Sequence, residues 1–184
     1  MKITIIFLLC GFSVCDLTAQ NLVTNPSFED TVACSTYADN IADAQGWFSC
    51  AWSPDYFNPC GNLSVPYIGV PINVGGHQTP YDGNAYAGIV TYTNYFPFPY
   101  RECIGVHLLD KLIPGYKYYV SAFVSRADTF ELDCATNGIG FRFSINPYSI
   151  FNPVPVDNYS AVHTDSIIIS KTNWTRIEGN FIAD

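Results

Sequence analysis

Apolar and polar side chains alternate most clearly over 116–125, where Tyr118, Val120, Ala122 and Val124 fall on one side and Tyr119, Ser121, Phe123 and Ser125 on the other. A period of two places successive side chains on opposite faces of an extended chain, so this stretch predicts a strand with one face on a core. Pro114-Gly115 just before it is a type II turn signal, because proline presets the first central residue and glycine supplies positive φ at the second. The same reading predicts strands at 84–92, 102–109, 139–145, 166–170 and 174–182, with a short one at 22–23. No window keeps apolar residues at helical spacing over three turns, so little helix beyond single turns is expected. The stretches 25–83, apart from a short apolar piece near Trp47, and 146–164 read as irregular. The first is too long for an ordinary connection and holds Cys34, Cys50 and Cys60, so it reads as stapled or functional. Strands joined by irregular loops without crossover helices predict an all-β fold, an antiparallel β-sandwich.

The first residues follow a different pattern. Lys2 precedes an apolar run from Ile3 to Val14, and a polar stretch then ends at Leu17-Thr18-Ala19. This is the pattern of a secretory signal peptide over 1–19 with cleavage after Ala19, leaving one domain over 20–184. The apolar run is far shorter than the ~20 residues a helix needs to cross a bilayer. A lipid anchor at Cys10 or Cys15 would want a small residue before it, and Leu9 and Val14 stand there instead. No later stretch is apolar and long enough to span a membrane, so the expected location is secreted or at the cell surface.

Composition supports the β reading. Aromatic residues make up 16% of the chain, with 13 Tyr and 13 Phe against a single Met, and such side chains suit a pleated, half-buried surface. The net charge of -8, carried with only eight Lys and Arg, argues against a nucleic-acid partner, which needs a cationic face. After residue 19 five cysteines remain, namely Cys34, Cys50, Cys60, Cys103 and Cys134, and export makes disulfides their expected fate. The odd count leaves one thiol over, either buried and inert or paired outside this sequence. None of the Cys and His spacings suits a zinc site.

Two aromatic clusters are the candidate binding surfaces. Residues 91–101 read TYTNYFPFPYR, in which Tyr92, Tyr95, Phe96, Phe98, Tyr100 and Arg101 surround two prolines that prevent a regular central strand. Rings on a stiff loop form a flat platform on which sugar rings stack through their C–H groups, and a protein partner could use the same platform. The rings could equally cover the end of the core. Trp47, Trp52, Tyr56 and Phe57 form the second cluster, with Asp55, Asn58, His77 and Gln78 near in sequence. Trp47 and Trp174 read as core, and Trp52 and Tyr56 as the exposed members. Catalysis has little to rest on: Glu102, Glu131, Asp133 and Glu178 are available carboxylates, but nothing in their spacing fixes a pair. There is no nucleophile elbow, His-Glu-x-x-His or phosphate-binding glycine loop.

The opening NLVTNPSFED over 21–30 resembles the start of carbohydrate-binding modules with the galactose-binding-like jelly-roll fold. QGWFS over 45–49, SPDYFNPC over 53–60, GNAYAGIVTY over 83–92, YREC over 100–103, LIPGYKYYVSAFVSRAD over 112–128 and WTRIEGNFIAD over 174–184 look like N-terminal domains of exported proteins from gliding Gram-negative bacteria. The resemblance implies a jelly roll lacking its last strand, followed by further modules of the same polypeptide. It also implies a Cys34–Cys60 disulfide and a structural calcium ion at Glu29, which Asp82 and carbonyls of the Gly83-Asn84 turn would have to complete. The function expected on these grounds is an exported, non-catalytic module that binds a carbohydrate through aromatic loops. The alternative is a structural or adhesive cell-envelope domain that holds a protein partner.

Overall fold

Residues 20–64, 67–93, 101–129, 134–149 and 159–184 are described by the computed structural model of the protein. In chain order the strands are β1 (Trp47–Ala51), β2 (Asp55–Phe57), β3 (Ile72–Asn73), β4 (Gly76–His77), β5 (Tyr86–Gly88), β6 (Cys103–Val106), β7 (Lys117–Val124), β8 (Gly140–Phe141), β9 (Val162–His163) and β10 (Thr175–Ile182). Among the described residues the helical part is one 3-10 turn, Ile41–Asp43. The protein is therefore all-β, and each of its named strand pairs is antiparallel: β1 with β6, β2 with β5, β3 with β4, β7 with β10, and β8 with β9.

The β7–β10 ladder is the longest, and alternation builds it. Ile177 faces Ala122, Gly179 faces Val120 and Phe181 faces Tyr118, while Glu178 faces Ser121 and Asn180 faces Tyr119. The first set is turned inward and the second is exposed, as period-two patterning requires. Phe143 stacks on Phe181 with ring centroids 4.3 Å apart, and a side chain at Gly179 would meet Val162 of β9 at 2.7 Å. Loss of the side chain at 179 is what lets β9 lie against the ladder. The turn before β7 has Gly115 at φ +83 and a Tyr116 N–H donating to Ile113 O, the type II geometry that Pro114-Gly115 predicts.

The other core is built without long strands. Ile41, Ala44, Tyr56 and Ala85 are buried together, with Phe28, Trp47, Ala87 and Ile104 packed on them. Asn25 holds the chain around this core: its Nδ2 donates to Asp30 O and Gln45 O, its Oδ1 accepts from Asp30 N–H, and its own carbonyl accepts from Trp47 Nε1. Asn25 and Phe28 both have positive φ, a conformation that asparagine tolerates better than most residues and that this bonding fixes. Phe28 then stacks on Trp47 at 4.4 Å. Cys34 and Cys60 are disulfide-bonded with Cα atoms 5.3 Å apart, closing the irregular segment on itself.

Three expectations are corrected. The stretch 25–83 holds β1 to β4, and its shortest pieces escape periodicity because two or three residues cannot show a period; the Val74-Gly75-Gly76 hairpin signal between Ile72 and His77 was available to mark β3 and β4. No strand forms over 166–170; Ile168 is buried with its N–H on Thr136 O, while Ile167 and Ile169 point to solvent, so the alternation exists without a ladder. The strand lies earlier, at β9 inside 146–164, and the strand expected over 139–145 shrinks to β8, with Ile145 98% exposed.

Candidate functional site

One open cleft of about 400 Å3 lies between the start of β6 and the segment leading into β8. It is lined by Ile89, Thr91 and Tyr92, by Arg101 to Ile104, and by a lip formed from Thr136 to Gly140. Pairing of β6 with β1 positions Cys103 and Ile104 on the cleft, whereas the lip is tied by Gly138 N–H to Thr164 O and Ile168 N–H to Thr136 O. Tyr92 is 60% exposed and Arg101 is exposed, so an aromatic ring and a guanidinium both stand on the cleft lining. Thr91, Thr136 and Asn137 add hydroxyl and amide groups. These are the groups that hydrogen-bond a polyol while a ring covers its C–H face.

Glu102 lines the cleft, and its carboxylate is bonded into the fold. Its Oε1 accepts from Ser53 Oγ at 3.1 Å and its Oε2 from Val90 N–H at 2.7 Å, while its own N–H donates to Val90 O. Burial raises its pKa, offset in part by those bonds. Asp55 of β2 is its neighbour in charge. Burial, with smaller repulsions from Glu102 and Asp39, pushes the Asp55 carboxyl up to about 6, against the lowering effect of a bond from Asp39 N–H. Neither the pairing nor its cause was visible in sequence, since 55 and 102 are joined only through the fold.

The sequence-predicted residues are distributed as follows. Tyr92 and Arg101 come together on the cleft from the two ends of the aromatic loop; Tyr95, Phe96, Phe98 and Tyr100 lie outside the described residues, as do Glu131 and Asp133. Trp52 is 54% exposed, at φ +60, with its carbonyl accepting from Ser49 Oγ, and it does not line the cleft. The second cluster is otherwise core. Tyr56, expected to be exposed, is 1% exposed: its hydroxyl donates to Phe28 O at 2.7 Å, accepts from Asn58 Nδ2 and lies 2.8 Å from Thr31 Oγ1. A phenol with a complete set of partners can be buried, and nothing in local spacing signals those partners. Phe57 and Asn58 are buried beside it, and Gln78 bonds Ser125 Oγ and Thr79 O. Trp47 packs on the core as expected, and Trp174, half-buried, donates to Thr79 O.

Glu29 does reach the Gly83-Asn84 turn, but by a different chemistry from metal binding. Its carboxylate accepts from Asn84 N–H at 2.6 Å, Ala85 N–H at 3.0 Å and Asn84 Nδ2 at 3.1 Å. The turn thus presents N–H donors where a hard cation needs oxygens, so the groups at Glu29 do not fit calcium. Among the described residues no three His, Cys, Asp or Glu side chains converge on a metal position.

Set against known families, curated proteins and solved structures, the chain matches none of them.

Proposed function

We propose that this chain is an exported, non-catalytic carbohydrate-binding module with a jelly-roll sandwich, whose ligand lies in the cleft between Tyr92 and the 136–140 lip. The observation that carries this reading is the exposed Tyr92 ring beside Arg101 in a cleft walled by hydroxyl and amide groups. An apolar face flanked by a few hydrogen-bonding groups suits a sugar, which has both kinds of surface on one ring. The Cys34–Cys60 bond fits the export that the leader-like start predicts, because such bonds persist in oxidising compartments. Glu102 turns both carboxylate oxygens toward Ser53 and Val90, a positioning role that favours binding over hydrolysis.

Affinity electrophoresis through gels carrying neutral and acidic polysaccharides tests this. Wild type is retarded on at least one gel, Tyr92→Ala loses tenfold or more in affinity, about 1.4 kcal/mol, and Trp52→Ala, off the cleft, binds like wild type. Free migration on every polysaccharide overturns the reading, and a loss confined to Trp52→Ala moves the site away from the cleft.

A second reading, an adhesive envelope domain, has its own observation. On the exposed face of the β7–β10 ladder, Tyr81 stacks on Phe123, and Arg176 lies 5.8 Å from the Phe123 and Tyr119 ring centres and 3.1 Å from Glu178. Aromatic rings around an arginine are the side chains that anchor protein interfaces. Under this reading Arg176→Ala, not Tyr92→Ala, is the change that abolishes attachment.

A further inference from the structure

Strands β1 and β6 run in regular register through Trp47 with Val106, Phe48 with Gly105 and Ser49 with Ile104. Continued by one rung, that register sets Cys50 opposite Cys103. A bulge intervenes there, making Ala51 the partner of Cys103, and in a bulge two residues of one strand face a single residue of the other. Cys50 therefore still faces Cys103. The sulfur positions agree: a side chain at Gly105, two residues along β6 on the Cys103 face, would meet the Phe48 ring at 2.6 Å and Cys50 Sγ at 2.8 Å. The absence of that side chain lets Cys50 lay its sulfur across β6, on the face that Cys103 shares.

We infer that Cys50 and Cys103 form a second disulfide, a cross-strand bond that ties β1 to β6 and fixes the wall of the cleft. Both are free thiols here, and Cys134, the other free cysteine, is exposed. The oxidant belongs to a class the chain already meets, since Cys34–Cys60 is oxidised: a disulfide-bearing donor, either an exported oxidoreductase or oxidised glutathione. One sulfur of the pair, as thiolate, attacks the donor disulfide, forming a mixed disulfide and releasing one donor sulfur, which takes up the proton lost. The second thiolate attacks the protein sulfur of that mixed disulfide, closing the Cys50–Cys103 bond and expelling the other donor sulfur with the second proton. Two electrons and two protons pass to the donor, which leaves as two thiols. Cys103 lines the cleft, so the donor has an approach from solvent even though Cys50 is buried.

The test is peptide mapping of the full chain equilibrated in an oxidising glutathione buffer, quenched with acid, then alkylated in denaturant. The expected result is a peptide linked through Cys50 and Cys103, with Cys134 recovered alkylated or glutathionylated. Cys103→Ser loses that linked peptide and leaves Cys50 modifiable, while the Cys34–Cys60 peptide persists. Recovery of both Cys50 and Cys103 as alkylated residues from wild type whose Cys34–Cys60 bond is intact overturns the inference, as does linkage of either to Cys134. None of these outcomes depends on a carbohydrate ligand.

Discussion

The region around Tyr56 and the β7–β10 ladder reach order by opposite means. The ladder is eight residues against eight, held by repeating backbone bonds, with one face inward and one in water. Around Tyr56 the paired strands are short, and side chains take over from backbone: Asn25, Glu29, Tyr56 and Asn58 satisfy the polar groups of turns and of one another, inside a segment closed by Cys34–Cys60. A ladder spreads its stability over many equivalent contacts. A network of single-copy bonds concentrates it in a few residues, because each buried polar group left unpaired costs about 1–3 kcal/mol. The two regions should therefore respond very differently to loss of one aromatic side chain.

The largest contrast is expected at two tyrosines. Tyr56→Ala removes a fully buried ring together with the acceptor of Asn58 Nδ2, and should cost about 3–5 kcal/mol. Tyr119→Ala, on the exposed face of the ladder, should cost less than about 1 kcal/mol although its hydroxyl bonds Glu178 and Arg176. Urea unfolding measures both. Equal losses would break the distinction, showing that the ladder too depends on single side chains.

A second contrast concerns pH. The Tyr56 region contains Asp55, whose carboxyl is pushed up to about 6 by burial first and by Glu102 and Asp39 next. An acid whose folded-state pKa is raised contributes stability that is complete below its unfolded value and lost as pH rises through the folded one. Between about pH 4 and pH 7 the wild type should thus lose on the order of 3 kcal/mol relative to Asp55→Asn, which keeps an oxygen to accept from Asp39 N–H. Glu102, also raised by burial, acts in the same direction. Unfolding free energies of the two proteins across that range supply the difference, and parallel curves would remove Asp55 from the account.

The same division explains what could be read from the sequence. Alternation is a local signal, so 116–125 and 174–182 predicted β7 and β10 to within a residue or two, and Pro114-Gly115 predicted its turn. Antiparallel all-β structure followed from those pieces. Around Tyr56 the determinants are long-range: Glu29 is 55 residues from Asn84, and Ser53 is 49 from Glu102. Such pairs leave no periodic trace, and Tyr56 was misplaced because a tyrosine with buried partners has the same local pattern as one on a surface. The cleft was half legible. Aromatic content pointed to Tyr92 and Arg101, but the lip at 136–140 arrives only through the Gly138 and Ile168 backbone bonds.

The smallest predicted effect separates backbone strain from side-chain clasping at two glycines with the same hand of backbone. Gly115, in the turn before β7, has φ +83 and open space where a Cβ would sit; Gly83, beside the Tyr56 region, has φ +65 and a Cβ position 2.3 Å from Glu29 Oε1. Gly115→Ala should cost only the left-handed conformation of an L-residue, about 1 kcal/mol. Gly83→Ala carries the same strain and in addition displaces a carboxylate that accepts three N–H bonds, so it should cost about 1–2 kcal/mol more. In a Glu29→Ala background there is no carboxylate to displace, and the two substitutions should then cost nearly the same. A difference that survives Glu29→Ala would place the sensitivity of the 82–85 turn in its backbone and deny Glu29 the clasping role that the geometry gives it.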